Sequence, residues 1–219
     1  MNGHVRSMIV HQWKGPISTI LSLLLLMDCT TTLEANRNQQ CGKSLQQTLK
    51  LTRLIQKQSV ELIKTYKVSV GNSSDLICRA SLNNIPNPKI SGMEPSERIV
   101  SIYTKLQAFF PHFKRVYMQQ ADLQPPTSPL LKELSQVENR SKNLLTLIKG
   151  FYQNFFPNLP LPEPAGGTTT LPPAQNIFQQ KVYGCVVLKT FKDFLLNVSR
   201  EVRVLKNKVC RTQVNVLLY

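Results

Sequence analysis

The chain of 219 residues carries 27 lysines and arginines against 12 aspartates and glutamates, a formal net charge of +15. That length is expected to hold one or two domains, and no segment reaches the run of about 20 apolar residues that crosses a membrane, which excludes an inserted helix. A surface so basic points to sulfated glycans, heparan sulfate among them, or to acidic receptor faces as partners, with a well-solvated cationic surface as the plain alternative.

Residues 1–34 are expected to be a secretory signal peptide. HVRSMIVHQWKG supplies Arg6 and Lys14, and Ile17 to Met27 (ISTILSLLLLM) is a short apolar run that turns polar at DCTTT. A basic stretch before a short apolar one is the mark of such a leader, with cleavage expected between Cys29 and Ala35. The mature domain, 35–219, is then secreted, extracellular and soluble, which also directs it away from nucleic acid.

Secretion decides how the cysteines read. Cys29 is lost or left near the new N-terminus, while Cys41, Cys78, Cys185 and Cys210 belong to the mature chain. Four cysteines in an oxidising compartment mean two disulfides, with three connectivities open. No CxxC or Cys/His spacing occurs, so neither metal nor cofactor is expected. The sequons at Asn72, Asn139 and Asn197 fit a glycoprotein.

Four segments carry helical periodicity and little alternates like a strand. The first, about 43–67, aligns Leu51, Ile55, Leu62 and Tyr66. The second, about 95–119, starts on Pro95 and repeats Ile99, Ile102, Leu106, Phe109, Phe113 and Val116 at threes and fours, with Pro111 expected to kink or split it. The third, about 128–156, has Ser128 as its expected N-cap and Pro129 in the first turn, followed by Leu130, Leu134, Val137, Leu144, Ile148, Phe151 and Phe155. The fourth, about 176–209, aligns Val187, Phe191, Phe194, Val198, Val202, Leu205 and Val209, and sets Lys189, Lys192, Arg200 and Arg203 on the opposite side.

Link lengths choose a topology. The first link is long and the second short. The third, with Pro157, Pro160, Pro162, Pro164, Pro172 and Pro173, could span roughly 55 Å in extended polyproline form. Long, short, long predicts an all-α, long-chain four-helix bundle of up-up-down-down course with two long crossover loops. In that course the end of the first helix and the start of the fourth share a pole. The bundle therefore predicts the bridges Cys78–Cys185 and Cys41–Cys210.

Catalytic motifs are missing: there is no GxSxG, HExxH or phosphate-cradling glycine loop. His112, the one histidine outside the leader, is expected at the surface, and the protein is not expected to be an enzyme. LPLPEP is expected to be a crossover strut. Phe178 and Lys181, one turn apart at the head of the fourth helix, combine an aromatic anchor with a steering cation.

These residues resemble a known family. NIFQQKVYGCVVLKTFKDFLLNV, with Phe178, Lys181, Gly184 and Cys185, is similar to the last-helix region of the leukaemia inhibitory factor and ciliary neurotrophic factor-like cytokines of the interleukin-6 type. SDLICRA around Cys78 and PSERIVSIYTKLQ resemble the family's segments after the first helix and in the second. The resemblance implies a cytokine that brings a leukaemia inhibitory factor receptor-like chain together with the shared signal-transducing subunit and activates JAK-STAT signalling. Phe178 and Lys181 would contact the first receptor, and a surface on helices 1 and 3 the second. No cysteine ends the third helix and Cys210 has no family counterpart, so a divergent, non-mammalian member is implied. A monomer without membrane insertion is expected. The competing class is a basic secreted glycan- or membrane-binding protein of antimicrobial type.

Overall fold

The computed structural model describes residues 17–71, 77–162, 171, 173 and 175–210, with side chains from residue 36 onward. Four α-helices follow one another: α1 (Ile17–Val70), α2 (Pro95–Ala121), α3 (Pro129–Phe155) and α4 (Ile177–Val209). No strand occurs among the described residues, and none of the helices searched there is long and apolar enough to cross a membrane. The chain divides into Met1–Asn38 and Gln39–Tyr219. Of the first unit, the backbone from Ile17 is helical. The second contains the core. Asn72, the side chain of Cys29 and most of the proline-rich crossover lie outside the described residues.

The periodic apolar positions become that core. On α4, Val187, Phe191, Phe194, Val198, Val202 and Leu205 are buried and Val209 is partly buried. α2 packs against both α3 and α4. Between α2 and α4 an aromatic cluster forms: Phe109 meets Phe191 at 5.1 Å and Phe194 at 5.4 Å between ring centres, and Phe113 meets Phe191 edge-on at 4.7 Å. Edge-to-face pairs at such distances add about 1 kcal/mol each beyond the area they bury.

Several expectations need correction. α1 does not start near residue 43; it begins at Ile17 and runs on through Gly42, since no proline interrupts the chain between Ile17 and Val70. Pro111 does not split α2, which continues to Ala121. Proline removes one backbone donor, but buried Leu106 and Phe109 before it and Phe113 and Val116 after it hold both halves on the same core. Ser128 stands at the N-cap of α3 without a side-chain cap bond. His112 is fully buried, not at the surface. Its position falls inside the core stripe of α2, and the Tyr183 hydroxyl lies 2.6 Å from its Nδ1.

Cross-links tie particular ends together. Cys41 is bonded to Cys210, with Cα atoms 5.6 Å apart, and Cys78 to Cys185, at 5.1 Å. Beside the first bond Lys206 Nζ donates to Gln46 Oε1 at 3.1 Å. From the start of α2, Arg98 pairs with Glu201 of α4 at 2.7 Å. Further along α2, His112 meets Tyr183 near the head of α4.

Candidate functional site

The head of α4 is assembled from capping chemistry. Asn176 stands in extended backbone at the N-cap, where its Oδ1 accepts from the Gln179 amide at 2.9 Å. Gln179 Oε1 in turn accepts from the Asn176 amide at 3.1 Å. This reciprocal pair satisfies two donors that a helix start otherwise leaves open. It fixes where the first turn begins, and so which way Ile177 and Phe178 point.

They point outward. Phe178 is 63% exposed and Ile177 57%. Phe178 lies about 180° around the helix from Val187, the first of the core stripe. Two large apolar side chains on the solvent side of one helical turn offer anchoring area to a partner.

Lys181 has a different place. Its Nζ donates to the carbonyl of Val70, the last residue of α1, at 3.1 Å. A lysine there meets the negative end of the α1 dipole and one of its open carbonyls. Tyr66, one turn earlier on α1, donates its hydroxyl to the carbonyl of Lys181 at 3.1 Å. Burial pushes the Tyr66 hydroxyl well above the ordinary tyrosine range, so it remains a donor. Gly184 makes this approach possible: a Cβ there would overlap the Tyr66 hydroxyl and lie 2.7 Å from its Cζ. Two part-buried polar contacts thus hold the α4 head against the end of α1, and the Cys78–Cys185 bond one residue on ties it to the link that follows α1.

The structure therefore brings Phe178 and Lys181 onto the same first turns but gives them different work. Phe178 is presented, and Lys181 is half-buried and bound to α1. The sequence shows neither Tyr66 nor Val70 as part of this site, because their proximity arises only on folding. A hint lies in Gly184, a residue that weakens a helix interior unless something must come close.

Beside the same turns an open groove of ≈ 530 Å³ runs between α2 and the crossover, lined by Pro111, Arg115, Met118, Leu171, Gln175 and Gln180. Arg115 donates to the Pro173 carbonyl at 2.7 Å and lies 5.7 Å over the Tyr183 ring, which ties the crossover to α2. A second groove of ≈ 330 Å³ lies between α1 and α3, walled by Leu54, Lys57, Gln58, Glu61, Glu133 and Gln136. Leu54 is 44% exposed there.

Of the sequons, Asn139 is exposed on α3. Asn197 donates Nδ2, the atom a glycan would occupy, to the Pro88 carbonyl at 2.9 Å, and Ser199 is buried. A glycan at Asn197 would have to break that contact. Comparison of the chain with protein-family models and with curated proteins finds no match.

Proposed function

We propose that this protein is a secreted cytokine that binds two cell-surface receptor chains and brings them together, one like the leukaemia inhibitory factor receptor and one the shared signal-transducing subunit, so that JAK-STAT signalling starts inside the target cell. It acts by binding alone, as a monomer without enzymatic activity. The mature chain takes an up-up-down-down course. This course is supported by the contacts of α4, whose last turns meet Gln46 of α1 and Arg98 of α2 and whose first turns meet Val70 and His112, farther along the same two helices.

The observation that carries the reading is the exposed Phe178 on a turn whose backbone is fixed from three directions. A rigid aromatic anchor loses little entropy on docking, which is the property of an interface hot spot. Lys181 adds charge for approach while its position is held by Val70. The groove between α1 and α3, with Leu54 at its edge, is the surface we assign to the shared subunit.

The test is STAT phosphorylation in cells that bear both receptors, with Phe178→Ala compared at equal folded concentration. The expected result is a potency loss of about 30-fold or more, the size of a hot-spot truncation. Unchanged potency would place the receptor contact elsewhere, and silence from the wild-type protein would sink the cytokine reading. Lys181→Ala is the poorer probe, because it also releases the end of α1.

A further inference from the structure

At the other end of the α1–α4 pairing the two helices form an open groove of ≈ 490 Å³. Lys43, Gln46, Gln47 and Lys50 wall it from α1, Lys206 walls it from α4, and no acidic side chain lines it. The α1 residues recur at threes and fours and so share one face. At 1.5 Å per residue, Lys43 and Lys50 stand about 10 Å apart along the axis. Both are exposed, and neither has an ion-pair partner among the described residues. Lys206 Nζ donates to the Gln46 amide oxygen at 3.1 Å, which orients the ammonium without neutralising it.

Several other cations of the molecule are committed to partners. Lys64 pairs with Glu61, Lys142 with Glu138, Lys192 with Asp193 and Arg98 with Glu201. Lys181 and Lys189 donate to the carbonyls of Val70 and Cys78. The groove thus concentrates three uncompensated charges between walls that the Cys41–Cys210 bond joins covalently. A site with fixed walls pays less ordering entropy when a ligand enters.

We propose that this groove binds the sulfated segments of a heparan-type glycan. Sulfate groups meet Lys43, Lys50 and Lys206, and the amides of Gln46 and Gln47 donate to sulfate and ring oxygens. The assignment rests on the secretion part of the functional reading and is independent of the receptor contacts. A lipid surface fits less well, because an interfacial helix turns its apolar face to the acyl layer. Here Leu45, Leu49, Val202 and Leu205 of the two helices are buried inside the protein.

The experiment uses the purified disulfide-bonded protein and immobilised heparin, with desulfated heparin as the blank. Four variants are compared by circular dichroism and by affinity: Lys43→Gln/Lys50→Gln/Lys206→Gln in the groove, Lys114→Gln/Lys132→Gln/Lys149→Gln at exposed positions elsewhere, the control Ser135→Glu, and Gly42→Glu. The last places a carboxylate beside Lys206, where a Cβ meets only its Cε at 4.0 Å, and removes nothing. The groove triple is expected to lose about 10- to 100-fold in affinity near physiological ionic strength, and the distant triple a few-fold at most, since only contacted charges release counterions on binding. Gly42→Glu should lose more than Ser135→Glu, its charge-matched control. Equal losses in the two triples, or equal binding to desulfated heparin, would overturn the site. So would wild-type protein that sediments with phosphatidylserine vesicles and ignores heparin.

Discussion

Between Phe109 and Phe113 on α2, the His112 imidazole is fully buried and meets the Tyr183 hydroxyl at 2.6 Å. Assigning the hydroxyl proton to the Nδ1 lone pair puts the ring proton on Nε2, which is buried without a partner. Burial, and then the neighbouring Arg115 charge, lowers the His112 pKa to about 4, and burial pushes the Tyr183 hydroxyl up to about 12. The unfolded imidazole titrates near 6.5, so between those two pKa values the unfolded chain holds a proton that the native chain does not. The contribution of His112 is therefore complete above about pH 6.5 and is lost as the pH drops toward 4. The loss attributable to His112 is of order 2–3 kcal/mol. Urea unfolding of the wild type and His112→Gln at pH 7.5 and 4.5 checks this: the variant should show the smaller drop, and equal drops would clear His112 of the effect. The three-and-four spacing places His112 on the core stripe, but the residue type and the preceding proline argue against burial. A histidine after a proline reads as a break in the helix until the Tyr183 partner, 71 residues away, is in view.

At the scale of elements, the docking of α1 on α4 turns on one glycine. Gly184→Ala should gain about 1 kcal/mol of helix propensity if helix formation alone mattered. The added methyl, however, overlaps the Tyr66 hydroxyl, and the Lys181–Val70 bond one turn earlier holds α4 against the end of α1. Overpacking of that kind costs about 1–3 kcal/mol, and the Tyr66–Lys181 bond contributes about 1 more. The clash wins, so denaturant unfolding should find Gly184→Ala less stable by about 1–3 kcal/mol. In combination with Tyr66→Phe the loss should fall short of additive by about 0.5 kcal/mol or more. Full additivity would mean that the two residues do not meet. Three of the helices are largely legible in the sequence, because each has a long apolar stripe and α2 and α3 open on a proline, whereas the start of α1 is not. What escapes is whatever depends on a distant element: the continuity of α2 through Pro111, the unused hydroxyl of Ser128 and the anchoring of Lys181 on Val70. Phe178 is legible as an outlier, since it stands across the helix from the Val187 stripe.

At the scale of the molecule, two disulfides fasten α4 near its two ends, and each lies beside one proposed surface. Cys78–Cys185 sits next to the turns that present Phe178, and Cys41–Cys210 next to the groove of Lys43, Lys50 and Lys206. The bonds join residues 107 and 169 positions apart. In the chain-entropy view each stabilises by up to about 5 kcal/mol, and by less where the unfolded chain is already compact. Their loss should also have separable local effects. Replacing Cys78 and Cys185 by serine lets the head of α4 loosen, so receptor signalling per folded molecule should fall while heparin affinity stays near wild type. Replacing Cys41 and Cys210 should do the reverse, because the charges of the groove then stand on walls free to part. Both readouts are taken at equal folded fraction, fixed by circular dichroism, so that shared instability cancels. If either pair of substitutions weakens signalling and heparin binding to the same extent, the two ends do not act separately, and the disulfides serve only the stability of the bundle. If the losses divide as expected, the bundle holds two independent recognition surfaces, each made rigid by its own covalent clamp.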